Sequence, residues 1–173
     1  KTHIPDLLLV IVPRHPQRFA EVAALLEQRG IPFRRRSETA SAEDLPAEIR
    51  AVLGDSMGEM FAYYAAADLA FIGGSLLPYG GQNLIEACAA GAPVLVGPYT
   101  YNFSEATRLA VAAGAAMQVQ DGSGLVRELQ RLLDIHLEYI GDGLALELDL
   151  PRLVVVAVSF TDRTGDPDVG QEV

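Results

Sequence analysis

The residues best suited to chemistry sit in a few short stretches. Arg14 stands between two prolines, Pro13 and Pro16, with His15 beside it, directly after an apolar run. A guanidinium pairs with phosphate through two parallel hydrogen bonds, and Arg14 is either such a contact or a solvated loop charge. Gly80-Gly81-Gln82-Asn83 precedes a small-residue helical segment. Glycine lets a backbone approach a ligand closely, and free N–H groups at a helix start favour an anion. The same glycine pair is also an ordinary tight turn. Glu59 and Glu86 each follow a polar residue by three positions, in Ser56-x-x-Glu59 and Asn83-x-x-Glu86. That spacing is a helix capping box, and it recurs in Asn102-x-x-Glu105. A carboxylate at these places either caps a helix or accepts hydrogen bonds from a ribose diol; spacing does not separate the two. Ser75 lies in Gly-Gly-Ser-Leu-Leu, unlike a nucleophile elbow. The 3 histidines are too scattered for metal-ligand spacing. The single cysteine, Cys88, sits among alanines and reads as a small core residue.

These residues need elements to hold them. Leu7 to Val12 is a continuous apolar run, the pattern of a strand covered on both faces of a parallel sheet. Phe19, Val22, Ala23 and Leu26 share one helical face, which predicts a helix from Pro16 to Arg29. Short strands are predicted at 31–36, 51–54, 69–72, 93–96 and 116–119. Helices are predicted between them near Met57 to Tyr64, Asn83 to Ala90 and Phe103 to Ala113, with a last one from Gly124 to Leu133. The segment Asn83 to Ala90, nearly all apolar, reads as buried. Strands alternating with helices give an α/β fold with a doubly wound, Rossmann-like parallel sheet. Ligands of such sheets bind beyond the carboxyl ends of the strands. Pro13 to His15, Asp55 to Glu59, Gly73 to Asn83 and Gly97 to Asn102 all follow strands and share that edge.

A chain of 173 residues, half of them hydrophobic, fits one domain with a sizeable core. The net charge of −10 argues against nucleic acid as a partner, since a phosphate backbone needs a concentrated basic face. Arg34-Arg35-Arg36, and Arg14 with His15 and Arg18, are basic spots large enough for one nucleotide or an anionic surface. One cysteine permits no internal disulfide and fits a reducing compartment. No stretch reaches the ~20 apolar residues that span a bilayer. With no initiator Met, the chain reads as a fragment or excised domain.

The motifs resemble a known family. Pro13-Arg14-His15-Pro16-Gln17-Arg18-Phe19 resembles PRHPERF of bacterial 3-deoxy-D-manno-octulosonic acid (Kdo) transferases. Gly54-Asp55-Ser56-Met57-Gly58-Glu59-Met60 is similar to their GDTMGEL. Phe71-Ile72-Gly73-Gly74-Ser75-Leu76 resembles FVGGSL. Gly80-Gly81-Gln82-Asn83-Leu84-Ile85-Glu86 is similar to GGHNPLE, and Gly97-Pro98-Tyr99-Thr100-Tyr101-Asn102-Phe103 to GPHTFNF. The likeness runs from Leu7 to about Leu133. It implies the carboxyl-terminal half of a GT-B glycosyltransferase, with CMP-Kdo as donor and a lipid A precursor as acceptor. Kdo would pass to the acceptor with inversion, with no cofactor and no donor-bound metal. Carried over, CMP would meet Pro13, Arg14, Met57, Gly58, Glu59, Asn83, Leu84, Ile85 and Glu86. Arg14 and the helix start at Asn83 would hold phosphate, and Glu86 the ribose. His15, Ser75, Gly80, Gly81, Gln82 and Asn102 are further candidates.

The resemblance places the general base, the acceptor site and the membrane attachment in an amino-terminal domain absent from this sequence. No catalytic residue is therefore expected in the chain. The whole protein would act at the cytoplasmic face of the inner membrane, and the fragment alone would be soluble and inactive in transfer. Gln82 stands where the family usually has His, and Leu84-Ile85 where it has Pro-Leu. Tyr99 also replaces a usual His. The expected domain is 1–134. Residues 135–173 do not resemble the family and are expected to hold one strand, Arg152 to Phe160, followed by disorder. A shifted reading frame, a fusion and divergence all remain open for that tail. Two other functions stay open: a GT-B domain for a UDP- or GDP-sugar, and a non-catalytic nucleotide-binding module. A response-regulator-like domain fits less well, because no acidic cluster follows the first strand.

Overall fold

The opening apolar run forms β1, Leu7–Pro13, in a computed structural model that describes residues 7–39, 45, 46, 48–141 and 152–158. Six more strands follow: β2 (Phe33–Arg35), β3 (Ala51–Leu53), β4 (Leu69–Ile72), β5 (Val94–Val96), β6 (Ala116–Gln118) and β7 (Arg152–Val158). All pair in parallel, in the order β2-β3-β1-β7-β4-β5-β6. The helices are α1 (Phe19–Gln28), α2 (Met60–Ala66), α3 (Ile85–Ala89), α4 (Ser104–Ala112) and α5 (Gly122–Gly141). This is the α/β fold with a parallel sheet that the alternation predicts.

Period-2 alternation along the strands splits the core between the two sheet faces. Ala70, Ile72, Val94 and Val96 face Tyr64 of α2, Leu84 and Ala87, with Ala106 and Ala110 of α4 packed behind. Leu69, Phe71 and Leu95 point the other way, onto Leu125, Leu129, Leu132 and Leu133 of α5. Ala51 and Leu53 of β3 join Val22, Ala23 and Leu26 of α1. The helical face read from Phe19 to Leu26 is thus the one that α1 buries.

Three elements differ from expectation. The predicted first helix opens with a 3-10 turn, Pro16–Arg18, and becomes α-helical only at Phe19. Proline has no N–H to donate, so it suits this entry turn. The last helix runs to Gly141 rather than stopping at Leu133. No glycine or proline interrupts residues 134–140, so the backbone has no reason to break. The segment read as a buried helix over 83–90 is the single turn-and-a-half of α3, covered on one side only: Ala87 is buried, whereas Ile85 is 54% exposed.

The strand predicted in the tail is β7, and it lies at the centre of the sheet. Its register runs from Leu7↔Arg152 to Pro13↔Val158 on one side and from Leu69↔Val154 to Ile72↔Ala157 on the other. A run of Val154-Val155-Val156-Ala157-Val158 suits a strand paired on both edges. α5 also crosses the proposed boundary at residue 134. Residues 159–173, where disorder is expected, lie outside the described residues. Among the described residues no helix is long and apolar enough to cross a membrane.

Candidate nucleotide-binding site

At the carboxyl edge of the sheet, a cleft of about 180 Å3 is lined by Arg14, Met60, Tyr64, Gln82, Asn83, Glu86 and Phe103. Three separate stretches of chain build it. The end of β1 delivers Arg14, α2 gives Met60 and Tyr64 as one helical face, and the entry to α3 gives Gln82, Asn83 and Glu86. Of the residues expected from sequence, Arg14, Gln82, Asn83 and Glu86 therefore come together. Met60, Tyr64 and Phe103 complete the wall; the sequence placed them in or at the start of predicted helices and did not single them out for the site.

The cleft carries opposite charges without internal partners. Among the described residues, neither Arg14 nor Glu86 makes a side-chain hydrogen bond or ion pair. Gln82 presents a buried Nε2 with no acceptor. Tyr64, only 2% exposed, adds its ring. Burial pushes its hydroxyl pKa up, and the Glu86 charge and then Cys88 push the same way, so it stays a neutral phenol. Among the described residues no group of His, Cys, Asp and Glu is arranged to hold a metal ion.

Asn83 settles part of the capping question. Its Oδ1 accepts the Ile85 N–H at 2.9 Å, an Asx turn leading into α3 and not a capping box, which would need the Glu86 N–H. Glu86 returns no bond to the Asn83 backbone, so its carboxylate is left for the cleft. The other two boxes do not form either. α2 starts at Met60, and Glu59 accepts hydrogen bonds from Arg36 Nη2 at 2.8 Å, from the Tyr63 hydroxyl at 3.3 Å and from the Ser56 hydroxyl. Glu105 pairs instead with Arg108, at 2.6 and 2.9 Å.

Several of the expected contact residues have partners within the scaffold. Ser75 is 0% exposed; its hydroxyl donates to the Ile72 carbonyl and accepts the Gly97 N–H at 2.7 Å. It ties the end of β4 to the end of β5 and shows no surface. Gly80 and Gly81 have φ of +85° and +72°, and the N–H groups of Gly81 and Gln82 go to Gly74 and Gly73 carbonyls at 3.0 and 3.2 Å. Two of the N–H groups expected to be free for an anion are thus used to close the turn itself. Asn102 donates from Nδ2 to the Tyr79 carbonyl at 3.1 Å and lies so close to Gly80 that a Cβ there would collide with it. Leu84, 1% exposed, is core. Pro13 is buried, and His15, Met57 and Gly58 are exposed but do not line the cleft.

No protein-family model matches the chain. A 3-deoxy-D-manno-octulosonic acid transferase of Bordetella pertussis is 56% identical over 117 residues, 68% of this chain and 27% of that protein. One from Haemophilus influenzae is 42% identical over 132 residues, 75% of this chain and 30% of that protein. A probable mitochondrial one of Arabidopsis thaliana is 34% identical over 134 residues, covering 77% and 29%. The chain thus spans under a third of these relatives. Among solved structures, the C-terminal CMP-Kdo binding domain of WaaA from Acinetobacter baumannii superposes with a TM-score of 0.67 at 26% identity, over 74% of this chain and 80% of that one.

Proposed function

This chain is homologous, over its α/β domain, to the carboxyl-terminal part of the Kdo transferases, and from that premise we propose that it is the donor-binding half of such an enzyme. The ligand is CMP-Kdo. The observation that carries the reading is the convergence of Arg14, Gln82, Asn83 and Glu86 on one cleft at the carboxyl edge of the sheet. Arg14 pairs with the phosphate. Glu86 accepts the ribose hydroxyls. The cleft, about 180 Å3, is smaller than the roughly 300 Å3 at which small-molecule pockets begin. It therefore grips part of the donor, and the remainder faces the amino-terminal domain of the whole enzyme.

In the whole enzyme the acceptor hydroxyl of a lipid A precursor attacks the anomeric carbon of Kdo from the face opposite CMP. The bond to the CMP phosphate oxygen breaks, and a base in the amino-terminal domain takes the hydroxyl proton. Arg14 offsets the charge that develops on the departing phosphate. The reaction belongs at the cytoplasmic face of the inner membrane, and attachment to that membrane and to the acceptor lies in the amino-terminal part. The chain alone binds CMP and does not transfer Kdo.

A second reading, a nucleotide-binding module without transfer activity, is favoured by one observation. β7 stands between β1 and β4, whose following loops carry Arg14 and Gln82. In the usual doubly wound order those two strands are neighbours.

Calorimetric titration with CMP, UDP and GDP tests the proposal. CMP should bind most tightly, and Arg14→Ala and Glu86→Ala should each weaken it about tenfold or more, the scale of a lost charge-assisted bond. A folded chain indifferent to all three nucleotides would remove the reading. Supplying an amino-terminal domain in trans separates the two functions: Kdo transfer supports the enzyme, and binding without transfer supports the module.

A further inference from the structure

Arg36 makes a contact that its place in the sequence does not suggest. It opens the 3-10 turn Arg36–Glu38 that follows β2. Its Nη1 donates to the Thr39 carbonyl at 2.9 Å and its Nη2 to Glu59 Oε1 at 2.8 Å. The other Glu59 oxygen receives the Ser56 and Tyr63 hydroxyls. Three donors from three places in the chain fill one carboxylate, which leaves it little capacity for a ligand. A second pin lies four residues earlier. Asp55 accepts the Ser37 N–H at 2.8 Å, the Ser37 hydroxyl at 2.7 Å and Arg35 Nη1 at 3.4 Å. The loop 55–59 is thus fastened at both ends to residues 35–37. Only its tip is bare, with Met57 67% exposed.

Glu59 immediately precedes Met60, the first residue of α2, and the Tyr63 N–H donates to the Glu59 carbonyl at 3.1 Å. Met60 and Tyr64 of that helix line the cleft, whereas Glu59 does not. The Arg36–Glu59 side chains are 42% and 32% exposed, so solvent screens the pair and it adds little to global stability. What it fixes is the position of the helix start. We infer that Arg36 is a positioning residue of the nucleotide site, which acts through Glu59 to seat the first turn of α2. The inference rests on the reading of the cleft as a nucleotide site.

Charge exchange tests it. The single variants Arg36→Glu and Glu59→Arg place like charges together, and the double variant restores the pair with its sign reversed. The Ser56 and Tyr63 hydroxyls can donate or accept, so they tolerate either sign. Two quantities are read on the 173-residue chain: the dissociation constant for CMP, and hydrogen exchange of the amides from Met57 to Tyr64. Each single variant should bind CMP several-fold more weakly and exchange faster over that segment, about what a few tenths to one unit of log affinity represents. The double variant should recover most of both. If exchange recovers and affinity does not, affinity does not depend on this anchorage and the inference is wrong. It also fails if Arg36→Ala moves neither quantity. If the unaltered chain binds no CMP, the nucleotide reading itself falls and takes the site role of Arg36 with it; the exchange data then report on the anchor alone.

Discussion

At the scale of single residues, the chain separates carboxylates that are spent from one that is available. Asp55 and Glu59 are spent. Burial alone would raise the Asp55 carboxyl, but the Ser37 hydroxyl and N–H, then Arg35, bring it below 3.8. The Ser56 hydroxyl, more than Arg36, holds Glu59 below 4.5. A pKa lowered by folding stabilises the folded form above the unfolded value and loses that contribution as pH falls through the folded value. The fastening of residues 35–37 to 55–59 should therefore be complete above pH 4.5 and weaken below 3.8. Carboxyl NMR titration checks this: both midpoints should lie under those values, and Arg36→Ala should raise that of Glu59. An unmoved midpoint would contradict the ion pair. Glu86, by contrast, has no hydrogen-bond or ion-pair partner among the described residues and lines the cleft. The sequence showed both glutamates at the same spacing from a polar residue, so their roles were not legible there. Which one is free depends on Arg36, 23 positions from Glu59, and on Tyr63.

At the scale of elements, two loops after β4 and β5 behave as one piece. Ser75 bridges their roots, Tyr99 N–H donates to the Ser75 carbonyl at 2.9 Å, and the Tyr101 hydroxyl reaches the Pro78 carbonyl at 2.7 Å. Gly97 must be glycine because a Cβ would meet the Ser75 backbone. Ser75→Ala leaves the buried Gly97 N–H without its acceptor, at a cost of about 1–3 kcal/mol. Denaturant unfolding should show that loss, while CMP affinity measured well below the transition stays within about twofold. A large drop in affinity at unchanged stability would return Ser75 to the ligand. The sequence marked these motifs as belonging to one sheet edge, because they follow strands. It could not show that Ser75, Gly80, Gly81 and Asn102 face each other, since those contacts join residues about 20 positions apart.

At the scale of the whole molecule, β7 decides the architecture. It is paired along both edges, with β1 and with β4, and no other strand joins those two. Proline within it removes a ladder hydrogen bond from a strand paired on both edges. Val156→Pro should therefore cost about 3 kcal/mol or more. Both halves of the sheet should melt together, and a transition no different from that of the unaltered chain would mean that β7 is not the centre of the sheet. What the sequence by itself determined are the properties carried by neighbouring residues. Apolar runs and 3.6-residue spacing define the strands and the helical faces, β-branched residues mark β7, and Arg14 and Glu86 are the chemically apt groups. Only the tertiary structure decided what depends on pairing across the chain. A strand's own residues state that it must be covered and paired but not with which partner, so the place of β7 between β1 and β4 was invisible. A charged or polar side chain likewise states what it can bind but not what it meets, and so only packing, among the described residues, left the Arg14 and Glu86 side chains without a hydrogen-bond or ion-pair partner while giving Glu59, Ser75 and Asn102 partners within the frame.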